Sequence, residues 1–179
     1  MEIGAFKQAL GAGGARPNQF KVGLTFPDAG VDGDSLLTVT GASIPASTVN
    51  PAIIQYRGRE IKLAGERIFD PWTITIVNST SFSLRKEFEL WMNKMNSRLD
   101  NTGALVPSDY QSDLTVTHLD RNGGELQRYE LFDAFPINMS EIALQYAQND
   151  IIEEYTVTFQ YQHYMVDDGT GENIHGSGA

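Results

Sequence analysis

Apolar residues recur at every second position along most of this chain, and each such run predicts a strand with one buried face. Phe20, Val22, Leu24 and Phe26 alternate with Lys21, Gly23 and Thr25 and predict the first strand. Beyond a turn-forming acidic loop at Asp28–Asp34, Leu36–Thr40 predicts the next. Pro45 and Pro51 interrupt the following stretch. Ile53–Leu63 then reads as two β-prone arms around Gly58, which permits a hairpin bend, so residues 44–71 are expected to project from the core. Trp72, Ile74 and Ile76, alternating with Thr73, Thr75 and Val77, give a strand with one strongly apolar face. Further strands are expected at Leu114–Leu119, at Leu126–Phe132 after the Asn122-Gly123-Gly124 turn, and at Ile142–Tyr146. The longest alternation covers Glu153–Met165. It places Tyr155, Val157, Phe159, Tyr161, His163 and Met165 on one face, and Glu154, Thr156, Thr158, Gln160, Gln162 and Tyr164 on the other.

Between these strands the period changes. Leu84, Phe88, Trp91, Met92, Met95 and Leu99 share one face at helical spacing, predicting a helix over about 82–99 that covers a sheet face. Ser81 or Ser83 is available as its N-cap, and Asn101 or Gly103 lies near its exit. Residues 1–16 combine a short helical pattern around Ile3–Leu10 with the Gly11-Ala12-Gly13-Gly14 run, and read as a flexible arm. Residues 166–179 are Asp/Gly-rich, lack an apolar repeat and read as a flexible acidic tail. The pattern is that of one compact, mainly β domain over 17–165 with a single covering helix. A chain of 179 residues with 41% apolar content can bury such a core.

Charge and chemistry narrow the function. Thirteen basic against 23 acidic residues leave a net charge of −10, which opposes gripping of nucleic acid or an anionic membrane. There is no cysteine, which removes disulfides, thiolate catalysis and zinc–thiolate sites. No export signal or membrane-spanning apolar run is visible. His118 and His163 continue strand periods, which favours structural or interface roles over catalysis, and His175 lies in the polar tail. The Asp28–Asp34 loop lacks the spacing and terminal glutamate of a calcium loop. Glu153 and Glu154 would point to opposite faces of a strand, and Asp167-Asp168 falls in the tail. No enzyme site and no cofactor are expected. Lys86, Lys94 and Arg98 share their helix with Glu87 and Glu89 as an ordinary charged face. Arg57, Arg59, Lys62 and Arg67 instead concentrate positive charge on the projecting hairpin, where they suit an acidic neighbouring copy.

Four stretches carry a family resemblance: Ala15-Arg16-Pro17-Asn18-Gln19-Phe20, residues 64–76 (AGERIFDPWTITI), residues 129–136 (YELFDAFP) and residues 153–159 (EEYTVTF). In this order, across most of Arg16–Tyr164, the chain resembles the tail tube protein family of T4-like contractile-tailed bacteriophages. The acidic loop and the tail after Val166 depart most from that pattern. The resemblance implies a two-sheet β-sandwich or barrel-like protomer with one covering α-helix and an extended β-hairpin. It further implies homo-hexameric rings that stack into the inner tube of a phage tail, assembled in the host cytoplasm and conducting DNA during ejection. Implied partners are the tail sheath protein, a baseplate tube-initiating protein, a tape-measure protein and the tail terminator, without stable membrane association. On this reading Arg16, Pro17, Arg57, Arg59, Lys62, Glu66, Arg67 and Asp70 are candidates for contacts between subunits. Glu154, Thr156, Thr158, Gln160 and Gln162 are candidates for the lumen wall. Six copies in a ring would carry a formal −60, repelling phosphate wherever the inward surface shares that bias. The tube of a non-phage contractile injection system and an unrelated β-rich binding module are the alternatives.

Overall fold

The computed structural model describes residues 3–10, 14–28, 30–31, 38–147 and 150–167. Helix α1 (Ile3–Ala9) precedes strands β1 (Phe20–Gly23), β2 (Thr25–Phe26), β3 (Gly30–Val31) and β4 (Val39–Ala42). The hairpin strands β5 (Ser47–Tyr56) and β6 (Arg59–Phe69) follow, then β7 (Trp72–Val77) and α2 (Ser83–Met95). A 3-10 turn at Pro107–Asp109 leads into β8 (Ser112–Leu119), β9 (Glu125–Met139), β10 (Glu154–Gln160) and β11 (His163–Asp167).

Two sheets share one long strand. The hydrogen-bonded order is β1-β8-β9-β10-β7-β4, with β11 also on β9. The first part of β9 pairs with β8 and β11, whereas its Phe135–Met139 end pairs with β10. The ribbon turns at Asp133, whose φ is 55° and whose backbone N–H donates to Asp113 Oδ1 at 3.1 Å. The inner faces then oppose one another, Val22, Leu114, Val116 and Leu131 against Ile74, Ile76, Tyr155 and Val157, all buried. This is the expected mainly β sandwich. Helix α2 adds Leu84, Phe88 and Trp91, and Phe88 and Trp91 meet Phe26 and Phe159 in an aromatic cluster.

Several elements depart from expectation. The first strand breaks at Leu24: Gly23 lies against Thr115, the chain leaves β8 there, and β2 pairs with β3 instead. Val22, Leu24 and Phe26 all still point inward. The Ile142–Tyr146 strand is absent, because β10 already has β7 on one side and β9 on the other and offers no free ladder. The strand expected over Glu153–Met165 is two strands. At Tyr161-Gln162 the chain crosses between sheets, and beyond it Tyr164 packs on the core while His163 and Met165 are exposed, reversing their expected faces. Helix α2 ends at Met95, so Leu99 is fully exposed rather than part of the core stripe. Phe82, not a serine, occupies the N-cap, without a side-chain cap bond. The strand end at Leu36–Leu37, the loop aspartates Asp32 and Asp34, and His175 lie outside the described residues.

Candidate functional site

Among the described residues strands β5 and β6 pair only with each other, and the long hairpin they form stands off both sheets. Its turn is Arg57-Gly58, with φ of 48° and 77°; two successive positive values match the hairpin turn whose twist suits the flanking strands. Register sorts the side chains. Tyr56 faces Arg59, Ile54 faces Ile61 and Ala52 faces Leu63, so one face is an apolar row with a guanidinium at its tip. The other face alternates, with Ile53 opposite Lys62 and Gln55 opposite Glu60. A bulge sets Gly65 and Glu66 against Asn50; a Cβ at position 65 would collide with the Asn50 carbonyl oxygen, which explains the glycine.

Every residue from Asn50 to Ile68 is exposed. Ile54, Tyr56, Ile61 and Leu63 therefore form an apolar surface that no described residue covers, and Ile53 is exposed on the opposite face. Arg57 and Arg59 flank the tip, Lys62 and Arg67 sit along β6, and none of the four has an ion pair among the described residues. Arg57 instead lies over the Tyr56 ring at 5.4 Å, and Arg67 Nη1 donates to Ser47 Oγ at 3.5 Å. The base is anchored where Phe69 meets Tyr161 and Tyr164 edge-on or tilted, and where the Asp70 N–H donates to the Ala46 carbonyl at 3.2 Å. Asp70, Glu66 and Arg67 are exposed around that anchor.

Arg16 and Pro17 belong to a different surface. The Arg16 carbonyl accepts from His118 Nε2 at 2.9 Å, and Pro17 lines an apolar groove of about 350 Å³ with Phe20, Ile44, Val116 and Tyr129. The eight contact candidates thus divide into the hairpin group and a pair beside the β1 edge.

The lumen candidates largely hold together. Glu154, Thr156, Thr158 and Gln160 lie on the face of β10 opposite its buried Tyr155, Val157 and Phe159. Cross-strand partners extend that face: Thr158 opposes Thr73, with hydroxyls 3.0 Å apart, Thr156 opposes Thr75, and Glu154 opposes Val77. This neutral wall of hydroxyl and amide groups has Glu154 at one end as the carboxylate of the set. Gln162 is exposed but falls in the crossover between β10 and β11, off the wall.

Among the described residues no three His, Asp or Glu side chains cluster as metal ligands. Burial pushes the Tyr155 phenol up to about 12, with Arg85 pulling the other way and Glu89 adding to it, and its hydroxyl has no hydrogen-bond partner among the described residues. Burial likewise raises Tyr161 to about 12, with smaller contributions from Tyr164 and Asp70. Both are core phenols behind the wall. His163 stacks on Phe132 at 4.9 Å.

One region escaped the sequence reading. The loop 141–153 exposes Leu144, Tyr146, Ile151 and Ile152, and with Val77, Ile142 and Glu153 it frames a broad recess of about 1090 Å³. Its apolar residues had signalled a strand. Ile142, Leu144 and Tyr146 alternate as a strand would, so the sequence carried no signal that separates this surface from a strand.

Comparison with known proteins gives consistent neighbours. A family described as phage tail tube protein matches residues 15–167. The tail tube protein of Serratia phage KSP90 is 25% identical over 166 residues, 89% of this chain and 93% of the relative. Tail tube protein gp19 of Enterobacteria phage T4 is 24% identical over 151 residues, 84% of this chain and 90% of the relative. A chain in the baseplate of the anti-feeding prophage shares the fold at a TM-score of 0.66 and 14% identity, covering 87% of this chain and 97% of that one. A chain of the PVC extracellular contractile injection system's extended sheath–tube complex does so at 0.59 and 16%, covering 90% and 97%.

Proposed function

The chain belongs to the phage tail tube protein family, and from that premise we propose how its surfaces build and serve a tube. It is a structural subunit of the inner tube of a contractile phage tail. Copies close into hexameric rings, the rings stack within a contractile sheath, and the genome passes through the bore during ejection. A tube-initiating baseplate protein starts the stack, a tape-measure protein occupies it during assembly in the host cytoplasm, and a terminator closes it.

The observation that carries this reading is the hairpin. Strands of 10 and 11 residues ladder only with each other, and an isolated two-stranded ribbon is marginal in water. An apolar, cationic ribbon on a chain of net charge −10 finds its complement on another copy. The hairpin residues Arg57, Arg59, Lys62, Glu66 and Arg67, with Asp70 at its base, serve stacking, and Arg16 and Pro17 serve the contact beside β1.

The wall of Thr156, Thr158 and Gln160 faces the bore, with Glu154 at its rim. Conduction then depends on what the wall lacks. It presents no fixed cation to hold a phosphate, and its hydroxyl and amide groups are equally served by water, so passing DNA meets low friction. The wall is neutral rather than uniformly acidic, so weak attraction does more here than the ring's repulsion. The function is steric and needs no bond chemistry or cofactor.

Electron microscopy of the purified protein over a range of concentration and salt, with mass measurement of the smallest oligomer and with initiator added, tests the reading. Stacked hollow rings of six copies are expected; solid fibres, or monomers that persist with initiator present, would refute it. The non-phage injection-system alternative shares the fold, and neighbouring capsid, portal and terminase genes would decide against it.

A further inference from the structure

The recess under the loop 141–153 and the hairpin are complementary in chemistry and lie at opposite ends of one strand. The hairpin returns to the body at Asp70-Pro71, directly before Trp72, the first residue of β7. The recess is built against Val77, the last residue of β7. Five residue steps in a strand separate these ends by about 17 Å.

The recess offers Leu144, Tyr146, Ile151 and Ile152 as an apolar floor and rim, all far more exposed than a folded protomer gains from. Asp150, Glu153 and Glu154 also line it, and among the described residues no lysine or arginine does. The hairpin carries the opposite pattern: an apolar row at Ala52, Ile54, Tyr56, Ile61 and Leu63, and four cations against Glu60 and Glu66. Removing that net +2 from the hairpin leaves the rest of the chain at −12.

We infer that the recess is the seat for the hairpin of a second copy, with the apolar row of one chain covering Leu144, Tyr146, Ile151 and Ile152 of the next. Arg59, which shares the face of the apolar row, and Arg57 at the turn then meet Asp150, Glu153 and Glu154 at the rim. The two surfaces differ, so the contact is heterologous. Each added copy leaves one free hairpin and one free recess, and the contact propagates head to tail with a fixed polarity. The inference rests on the tube reading and adds the receiving surface and the direction of growth.

The absence of cysteine makes a clean test. Chains carrying Ile54→Cys and chains carrying Leu144→Cys are mixed, allowed to assemble and treated with a short bis-maleimide. A pairing of Ile54→Cys with Leu99→Cys serves as control, since Leu99 is more exposed than Leu144 but outside the recess. About tenfold more covalent dimer than in the control is expected, because a seated contact raises the local concentration of one thiol at the other. Hollow stacks visible in the microscope, without a dimer above the control, would overturn the seat and leave the tube reading standing. A strong dimer from chains that never build hollow stacks would support the seat and defeat the tube. Neither stacks nor dimer would overturn both.

Discussion

Replacing Trp91 probes the packing on which every outer surface depends. The indole is almost fully buried, stacks on Phe88 at 6.4 Å, meets Phe26 and Phe159 at 5.5 and 6.2 Å, and its N–H donates to the Tyr110 carbonyl at 2.6 Å. Trp91→Ala removes all of this, and a cavity of that size costs about 3–5 kcal/mol. For a chain of this length each kcal/mol moves the melting point by about 2–4 °C, so a fall of about 6–20 °C is expected. In urea the midpoint should drop by about 2 M at a slope of roughly 2 kcal/mol/M. Trp91→Phe keeps the ring contacts and gives up the indole hydrogen bond, at about 1 kcal/mol and about 2–4 °C. Trp91→Asp adds an unpaired buried carboxylate and should yield no soluble folded protein. The melts belong on dilute, unassembled protomer, because assembly stabilises by mass action. A Trp91→Ala melt within about 2 °C of wild type, or a phenylalanine variant as damaged as the alanine one, would refute the account.

Three further outcomes follow from particular groups. Arg59→Glu or Arg67→Glu should leave the protomer melt unchanged, since both residues are exposed, while reducing stack length by electron microscopy; equal stacking would count against the hairpin contact. Burial raises the Tyr155 and Tyr161 phenols to about 12, so the folded chain keeps protons that the unfolded chain releases near 10. The stability they contribute is complete below about pH 10 and lost as pH rises towards 12, and Tyr155→Phe, which removes an unpartnered hydroxyl, should flatten that loss without cost at neutral pH. Gly65→Ala should shorten stacks with little change in the melt, because the collision with Asn50 falls in the hairpin and not in the core; an unaltered assembly would show that the bulge is dispensable.

The inward faces were legible because burial imposes a period of two. Val22, Leu24, Phe26, Ile74, Ile76 and the run from Tyr155 to Tyr161 are all buried as that period demands. Alternation does not report where a ladder ends. At Leu24 the side chain keeps its face while the backbone changes partner, and at Gln162 the chain crosses to another sheet and the period slips by one, sending His163 outward and Tyr164 inward. Pro136 hid the length of β9: it lies where the far edge of that strand is unpaired, so its missing N–H removes no ladder bond on that side. Leu99 fits the helical stripe in spacing, but the helix has already turned aside at Asn96, and Gly103 packs against the Met95 carbonyl where a side chain would not fit.

The candidate surfaces were legible in part, for a different reason. On the hairpin, apolar and basic residues alternate on strands that no third described strand covers, and that conflict between apolar content and exposure is what supports the proposed contact surface. On β10 the wall reads directly from Thr156, Thr158 and Gln160, because the same alternation that buries one face must present the other. The loop 141–153 obeys neither logic. Ile142, Leu144 and Tyr146 alternate as a strand would, yet no ladder forms there among the described residues, and Leu144, Tyr146, Ile151 and Ile152 lie exposed. A surface completed only by another copy is written as unsatisfied hydrophobicity, which a strand-like period disguises. It becomes readable once the fold shows that β10 has no vacant edge and that these residues must find their contacts elsewhere.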